Sequence, residues 1–449
     1  VRNQIAAIWK DRKISYTEFF QQSAMYASLY ADIKPDKVAV FSPNRPEWIF
    51  AFFSIWMNRA TAVPIDFMSL PSEVAYILND CKPEVIFIPK EYSEVFDKIE
   101  EDLLYHIKVI IFEDIKEDFK KFETVDFEQT DMEKTAVITY TSGTTGNPKG
   151  VMLTFENILK NLEAVIDYVK IFTPERTTLV LLPMHHILPL IGSFIAPLFA
   201  GGTMAFAPSM VSEDIINTLQ QNKVAIMIGV PRLYEAIRKG VMDKIHKNHV
   251  ATMLFKVAKT VNSQKFSRKV FGAVHAKFGG NVQFMVCGGA KLNEEVANDY
   301  KTLGFEMLEG YGMTECAPMI TFTRPGRWKI GSAGELLPGV QLETRDGEIF
   351  VKGRNVMRGY YNKPEETAEV LQDGWLRTGD VGHLDNEGYI HITGRAKEII
   401  ILSNGKNISP EEIEGKLKET SDLIAEVAAY ADNDNIAVAI YPEFKKLAE

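Results

Sequence analysis

The sequence predicts an α/β protein. A large N-terminal domain of mainly parallel sheets flanked by helices carries a small β subdomain, and a small α+β unit follows. Three observations lead to this reading. Strand-like apolar runs alternate with amphipathic helical patterns over most of the length, the signature of parallel sheets crossed by helices. After about Ser332 the texture changes to short strands between Gly and Pro turns. A second change, near Gly394, opens a short strand, loop and helix pattern.

Each element follows from its residues. "KVAVFS" precedes "RPEWIFAFFSIWM", "VIFIP" precedes a charged helix, and "VAIMIGVP" precedes "RLYEAI". The residues from Thr177 to Ser212 carry no Asp, Glu, Lys or Arg, long enough to raise the question of a membrane span. Pro183, His185, His186, Pro189, Pro197, Gly201 and Gly202 interrupt this run, so a buried strand, helix and strand are expected instead. "AGELLPGVQLETRDGEIFVKG" reads as the β subdomain. The domain boundary is expected between residues 395 and 396. Beyond it, Ser409 and Glu412 form a predicted capping box around Pro410, and "DLIAEVAAYADNDNIAVAIYP" reads as two strands about an Asp/Asn turn. Elements 396–449 are too few to bury a core alone, so this second domain is expected to be incomplete at Glu449.

The 449 residues exceed one ordinary core, and 46% hydrophobic with 24% charged residues is a soluble globular composition. Cys81, Cys287 and Cys316 form no CxxC pair, and no HExxH occurs among the eight histidines, so neither a disulfide framework nor a zinc motif is expected. A reducing, cytoplasmic setting fits this cysteine usage. The chain opens on Val1 with no signal-peptide pattern.

The chemistry concentrates in "TYTSGTTGNPKG", residues 139–150. Ala136, Val137 and Ile138 suit a buried strand. Phe155, Ile158, Leu159, Leu162, Val165, Ile166 and Val169 recur at helical spacing behind Thr154, a predicted N-cap. A Gly/Thr loop between strand and helix offers backbone N–H groups, hydroxyls and the Lys149 cation to a polyphosphate. The P-loop pattern itself fails, because Lys149 precedes Gly150 rather than Ser or Thr. That disfavours a phosphate-loop kinase or ATPase.

Further clusters stand at loop positions: "LPMHHIL", "MVCGGAKL", "GYGMTE", "GWLRTGD" and "TGRAKE". Taken with the Gly/Thr loop, in this order and spacing, they resemble the adenylate-forming superfamily of acyl-CoA synthetases, luciferases and peptide-synthetase adenylation domains. The resemblance runs from near residue 10 to residue 445. "GVPRLYE", "GGAKL", "NVMRGYY" and "LSNGKNISPEEIE" look most like long-chain fatty-acid–CoA ligases.

The resemblance implies an AMP-binding and acyl-binding domain over 1–395 and a C-terminal domain from 396. It implies ATP-dependent attack of a fatty-acid carboxylate on the α-phosphate, loss of pyrophosphate, and transfer of the acyl group to CoA. It places Thr141, Ser142, Gly143, Thr144, Thr145, Gly146 and Lys149 around the β- and γ-phosphates, with Thr144 and Glu315 as Mg²⁺ ligands. Tyr311, Gly312, Gly288, Gly289 and Ala290 would hold adenine, Thr314 the α-phosphate, Asp380 the ribose hydroxyls, and Arg395 ribose or phosphate. His186 would stand beside the carboxylate. Lys397 would be the hinge about which the C-terminal domain turns between the half-reactions, presenting Ser403 to Asn407 to the thiol. The lysine of the family's later Gly-Lys motif has no equivalent before Glu449. An acyl-carrier protein as acceptor, another carboxylic acid, or a nucleotide-binding pseudoenzyme are the alternatives.

Charge is uneven. The chain carries −10, whereas Arg232 to Lys277 carries +9. With Leu254, Phe255, Phe266, Val270, Phe271 and Phe278 among its lysines, this segment is expected to be amphipathic and to touch anionic membrane peripherally. An acidic acyl-carrier protein is the rival partner, and no nucleic acid is expected.

Overall fold

The computed structural model describes residues 4–444 except 117, 123–130, 142–146, 399, 402–406, 422 and 433–434. Two large sheets dominate the described residues. In the first, the strands Ile5–Trp9, Thr203–Phe206, Thr177–Val180, Val224–Gly229, Phe284–Cys287 and Glu306–Gly312 lie side by side, each parallel to its neighbour. In the second, Thr135–Thr141, Thr61–Ile65, Lys37–Phe41, Val85–Ile88 and Lys108–Ile111 are likewise parallel. Strands such as VAIMIG (224–229) are buried at every residue. That is why they read as unbroken apolar runs: helices cover both faces of a parallel sheet.

Expected helices stand where the periodicity placed them. Pro46–Met57 packs Trp48, Phe50 and Phe52 inward, and Phe155–Val169 begins at Thr154, whose hydroxyl accepts from the Asn157 N–H in a capping box. The uncharged run forms the strand Thr177–Val180, helical turns over Ile187–Phe199 and the strand Thr203–Phe206. No described helix is long and apolar enough to cross a membrane. The β subdomain is an antiparallel sheet of Val340–Arg345, Glu348–Gly353, Trp375–Leu384, Leu371–Gln372 and Ile390–Arg395. Beyond it, Ile424–Asp432 and Asn435–Pro442 pair as the expected hairpin.

Three local expectations change. The Gly/Thr loop does not lead into a helix. Lys149–Thr154 is a strand that pairs antiparallel with Thr135–Thr141, so the loop closes a hairpin and the helix comes one strand later. "KGVMLT" is too short and too apolar at 150–153 for its strand character to stand out beside the helix that follows it. Gly150 serves this pairing, because a Cβ there would meet Ile138 Cγ2 at 2.8 Å. Ser409 caps Pro410–Thr420 by position only: its hydroxyl makes no cap bond and, among the described residues, lies buried without a partner, against Gly394, while the Glu412 side chain lies outside what the structure describes.

The third change concerns the basic segment. It folds into the helices Pro231–His246, His249–Val261, Gln264–Val270 and Gly272–Lys277. Phe255, Phe271 and Phe278 are buried in the core against Phe305 and its neighbours, and Phe266 and Val270 pack against that core. Hence the aromatics expected at a membrane interface are structural. The outward apolar side chains are instead Val250, Met253, Val257 and Val261.

Candidate active site

Ligands of open parallel sheets gather beyond the carboxyl ends of the strands, and there the predicted residues gather. Thr141 ends its strand opposite Lys149, its register partner. Gly288 follows the strand ending at Cys287, and Tyr311 and Gly312 close the strand Glu306–Gly312. Asp66 follows Ile65, and His185 and His186 lie shortly past Val180. Ser142 to Gly146, and Ser403 to Lys406, lie outside the described residues.

A first cluster joins the hairpin to the 3₁₀ turn Thr314–Cys316. Lys149 Nζ sits 5.2 Å above the Tyr360 ring, and the Tyr360 hydroxyl donates to Glu315 Oε1 at 2.8 Å. Glu315 is 8% exposed, and among the described residues it forms no ion pair. A buried carboxylate with a neutral donor and no cation is suited to a hard divalent ion, so Glu315 fits Mg²⁺. Thr314, on the same turn, is half-buried.

A second cluster joins three distant parts of the chain. The Tyr311 hydroxyl donates to Asp380 Oδ2 at 2.7 Å, and Arg395 Nη1 lies 3.0 Å from Asp380 Oδ1. Asp380 and Arg395 face each other across paired strands, which explains how they meet. Burial pushes the Asp380 carboxyl above the usual carboxylate range, although the Tyr311 bond and the Arg395 charge pull it down. Burial likewise keeps the phenols of Tyr311 and Tyr360 protonated and able to donate.

Of Gly288, Gly289 and Gly312, close approach forces only Gly312, whereas Gly289 takes a positive φ. A Cβ on Gly312 would collide with the Pro318 carbonyl oxygen, so this glycine is required by the turn itself. Gly289 has φ +86°, and a Cβ on Gly288 would meet the Gly310 carbonyl and Leu188 at 3.5 Å. Gly289 and Ala290 are exposed.

The paired histidines differ sharply. His185 is 4% exposed, whereas His186 is exposed. Their Nε2 atoms lie 3.1 Å apart, and His185 Nε2 is 3.3 Å from Asp66 Oδ1. Burial lowers the pKa of His185 to about 4, the neighbouring His186 adds to that shift and Asp66 opposes it, so His185 is neutral at neutral pH. The pKa of His186 is lowered as well, by desolvation of its ring, again against Asp66. Lys397 is exposed, one residue past Ala396, whose N–H bonds to the Gly379 carbonyl at 2.9 Å.

The profile of the AMP-binding enzyme family matches residues 1–361. The chain belongs to that family. Among its curated relatives is a feruloyl-CoA synthase of Amycolatopsis, 29% identical over 430 residues, covering 90% of this chain and 78% of the relative. A long-chain-fatty-acid–CoA ligase of Rattus norvegicus is 29% identical over 472 residues, covering 92% and 68%. The fold matches ATP-bound MatB of Rhodopseudomonas palustris at TM-score 0.80 and 24% identity, over 99% of this chain and 86% of that one. It matches the o-succinylbenzoate CoA synthetase of Bacillus subtilis, solved with ATP and magnesium, at TM-score 0.78 and 24% identity, over 98% and 86%. The parallel-sheet α/β architecture expected from the sequence is thus the architecture of AMP-binding enzymes.

Asp66, Tyr360 and Glu309 escaped the sequence reading. Glu309 is 7% exposed, bonded by Trp328 Nε1 at 3.1 Å, and burial raises its pKa to about 7. Its visible signal was an acid in the middle of the strand "EMLEGYG", flanked by Leu308 and Gly310. Asp66 directly follows the apolar strand TAVPI.

Proposed function

We propose that the protein activates a long-chain fatty acid through an acyl-adenylate and passes the acyl group to CoA. The observation that carries this reading is that Lys149, Tyr360–Glu315 and Tyr311–Asp380–Arg395, which include the residues the resemblance assigns to ATP, touch one another within two clusters of a chain of the AMP-binding enzyme family. Attack of a carboxylate on the α-phosphate brings two anions together, so charge neutralisation comes first. Lys149 would draw the β- and γ-phosphates, with the loop 142–146 around them. Mg²⁺, held by Glu315 and Thr144, would supply further neutralisation of the phosphates when bound. Thr314 would bond the α-phosphate. Tyr311, with Gly288 to Ala290, would hold adenine, and Asp380 and Arg395 would exchange part of their mutual contact for the ribose. His186 would offer a hydrogen bond to the substrate carboxylate.

The acyl class rests on the resemblance of the motifs to long-chain fatty-acid–CoA ligases, one of which is among the relatives. Leu188, beside Gly288, lines an apolar crevice with Leu162, Phe172, Ile228, Val286 and Phe322. At about 20 Å³ the crevice is closed to any acyl chain as it stands, so its walls would have to part to admit one. Thiol attack on the adenylate then gives the thioester and AMP. Lys397 would be the hinge between these half-reactions, and 395/396 the domain boundary. The stripe Val250, Met253, Val257 and Val261, among Lys256, Lys259, Lys265 and Lys269, would serve for peripheral contact with anionic membrane.

A panel of C2 to C18 acids, with ferulate and o-succinylbenzoate, should give thioester with CoA best for the long saturated chains. Preference for ferulate would transfer the reading to aromatic acids. Preference for acyl-carrier protein over CoA would change the acceptor.

A further inference from the structure

We propose that Asp66, His185 and His186 form a binding site for a borderline divalent transition metal such as Zn²⁺, separate from the Mg²⁺ site at Glu315. One ligand atom from each residue lies within 4.8 Å of the other two. Two of the separations are 3.1 Å, between the imidazole Nε2 atoms, and 3.3 Å, from His185 Nε2 to Asp66 Oδ1. A tetrahedral ion with bonds of about 2.0–2.1 Å spaces its ligands about 3.3 Å apart, so these edges need little adjustment. The third edge closes by rotation of His186, whose side chain is exposed.

The ligand chemistry agrees. Two imidazoles and one carboxylate are a zinc-type set, and three protein ligands leave a fourth position open. His185 is held by burial and by the Phe67 ring, 5.8 Å away edge-to-face, which fixes one ligand in advance. Asp66 already accepts from the Met68 N–H at 2.8 Å, a bond that orients its carboxylate. Because His186 is the residue proposed to meet the substrate carboxylate, a metal here would occupy that group and admit the carboxylate only at its own open position. Transition metals would therefore change how the rate depends on the acid, while Mg²⁺, which prefers oxygen ligands, would not bind.

Calorimetric titration of the full chain with Zn²⁺ should show one saturable site per chain, unaffected by Mg²⁺. Asp66→Asn should weaken that site at least tenfold, and His185→Gln should do so further. Co²⁺ should give the visible absorption of a tetrahedral nitrogen and oxygen set, lost in both variants and lacking thiolate charge transfer. Thermal denaturation shows whether each variant is folded, and half-exposed Asp66 decides the matter if His185→Gln unfolds. Absence of saturable Zn²⁺ binding, or binding unchanged in Asp66→Asn, would overturn the site and leave the pair as a hydrogen-bonded one. These readouts need no turnover, so they stand or fall apart from the proposed ligase activity.

Discussion

Replacing Tyr360 with Phe removes a single oxygen and leaves the ring beneath Lys149. Glu315 Oε1 then loses its 2.8 Å donor while remaining buried. A hydrogen bond to a charged group contributes ~1.5–3 kcal/mol, and losing it strands a desolvated acceptor. Chemical denaturation should therefore show a loss of ~2 kcal/mol in unfolding free energy, with the slope unchanged. The second consequence concerns the proposed metal ligand. A Glu315 carboxylate freed of its orienting donor should need about tenfold more Mg²⁺ for half-maximal pyrophosphate release, since 1.4 kcal/mol is a factor of ten. At saturating Mg²⁺ the KM for ATP should change little, because Tyr360 is not proposed to touch the nucleotide. An unchanged denaturation midpoint together with an unchanged Mg²⁺ dependence would refute the assigned link between Tyr360 and Glu315.

Glu309→Gln tests a buried acid. Its pKa is raised from 4.5 to about 7, so the folded state keeps a proton that the unfolded chain releases above pH 4.5. Stability is lost as pH rises from 4.5 through 7, by ~3 kcal/mol at most, and Gln should abolish that loss. Equal pH dependence of the two proteins between pH 5 and 8 would count against it. Asp380→Ala should raise the KM for ATP more than that for the acid, and an equal rise in both would argue against a ribose role. Lys397→Pro should slow thioester formation while sparing adenylation, because proline restricts the hinge dihedral. Undiminished acyl-CoA synthesis would remove Lys397 from the hinge.

The parallel sheets were legible because their strands are buried on both faces and their helices are amphipathic, as in VAIMIG before Pro231–His246. The strand Lys149–Thr154 was not, since its pairing with Thr135–Thr141 is a tertiary fact that local periodicity does not carry. Composition misled at 232–277. Lysines among phenylalanines describe an interfacial helix and an ordinary amphipathic one equally well. Only the packing of Phe255, Phe271 and Phe278 on the core separates the two. Motif residues were legible singly, but their partners were not. Tyr311 meets Asp380 across 69 residues, and Tyr360 meets Glu315 across 45. Asp66 lies far from the histidines in sequence, and no spacing rule links them.

The central claim is adenylate formation, and the products of ATP cleavage test it most directly. With ATP, Mg²⁺ and a long-chain fatty acid, the full chain should release pyrophosphate, and AMP once CoA is added, only when the acid is present. Lys149→Ala should slow that release by about a hundredfold, the cost of one transition-state charge contact of ~3 kcal/mol. Release of orthophosphate, or pyrophosphate release indifferent to the acid and to Lys149, would contradict the account.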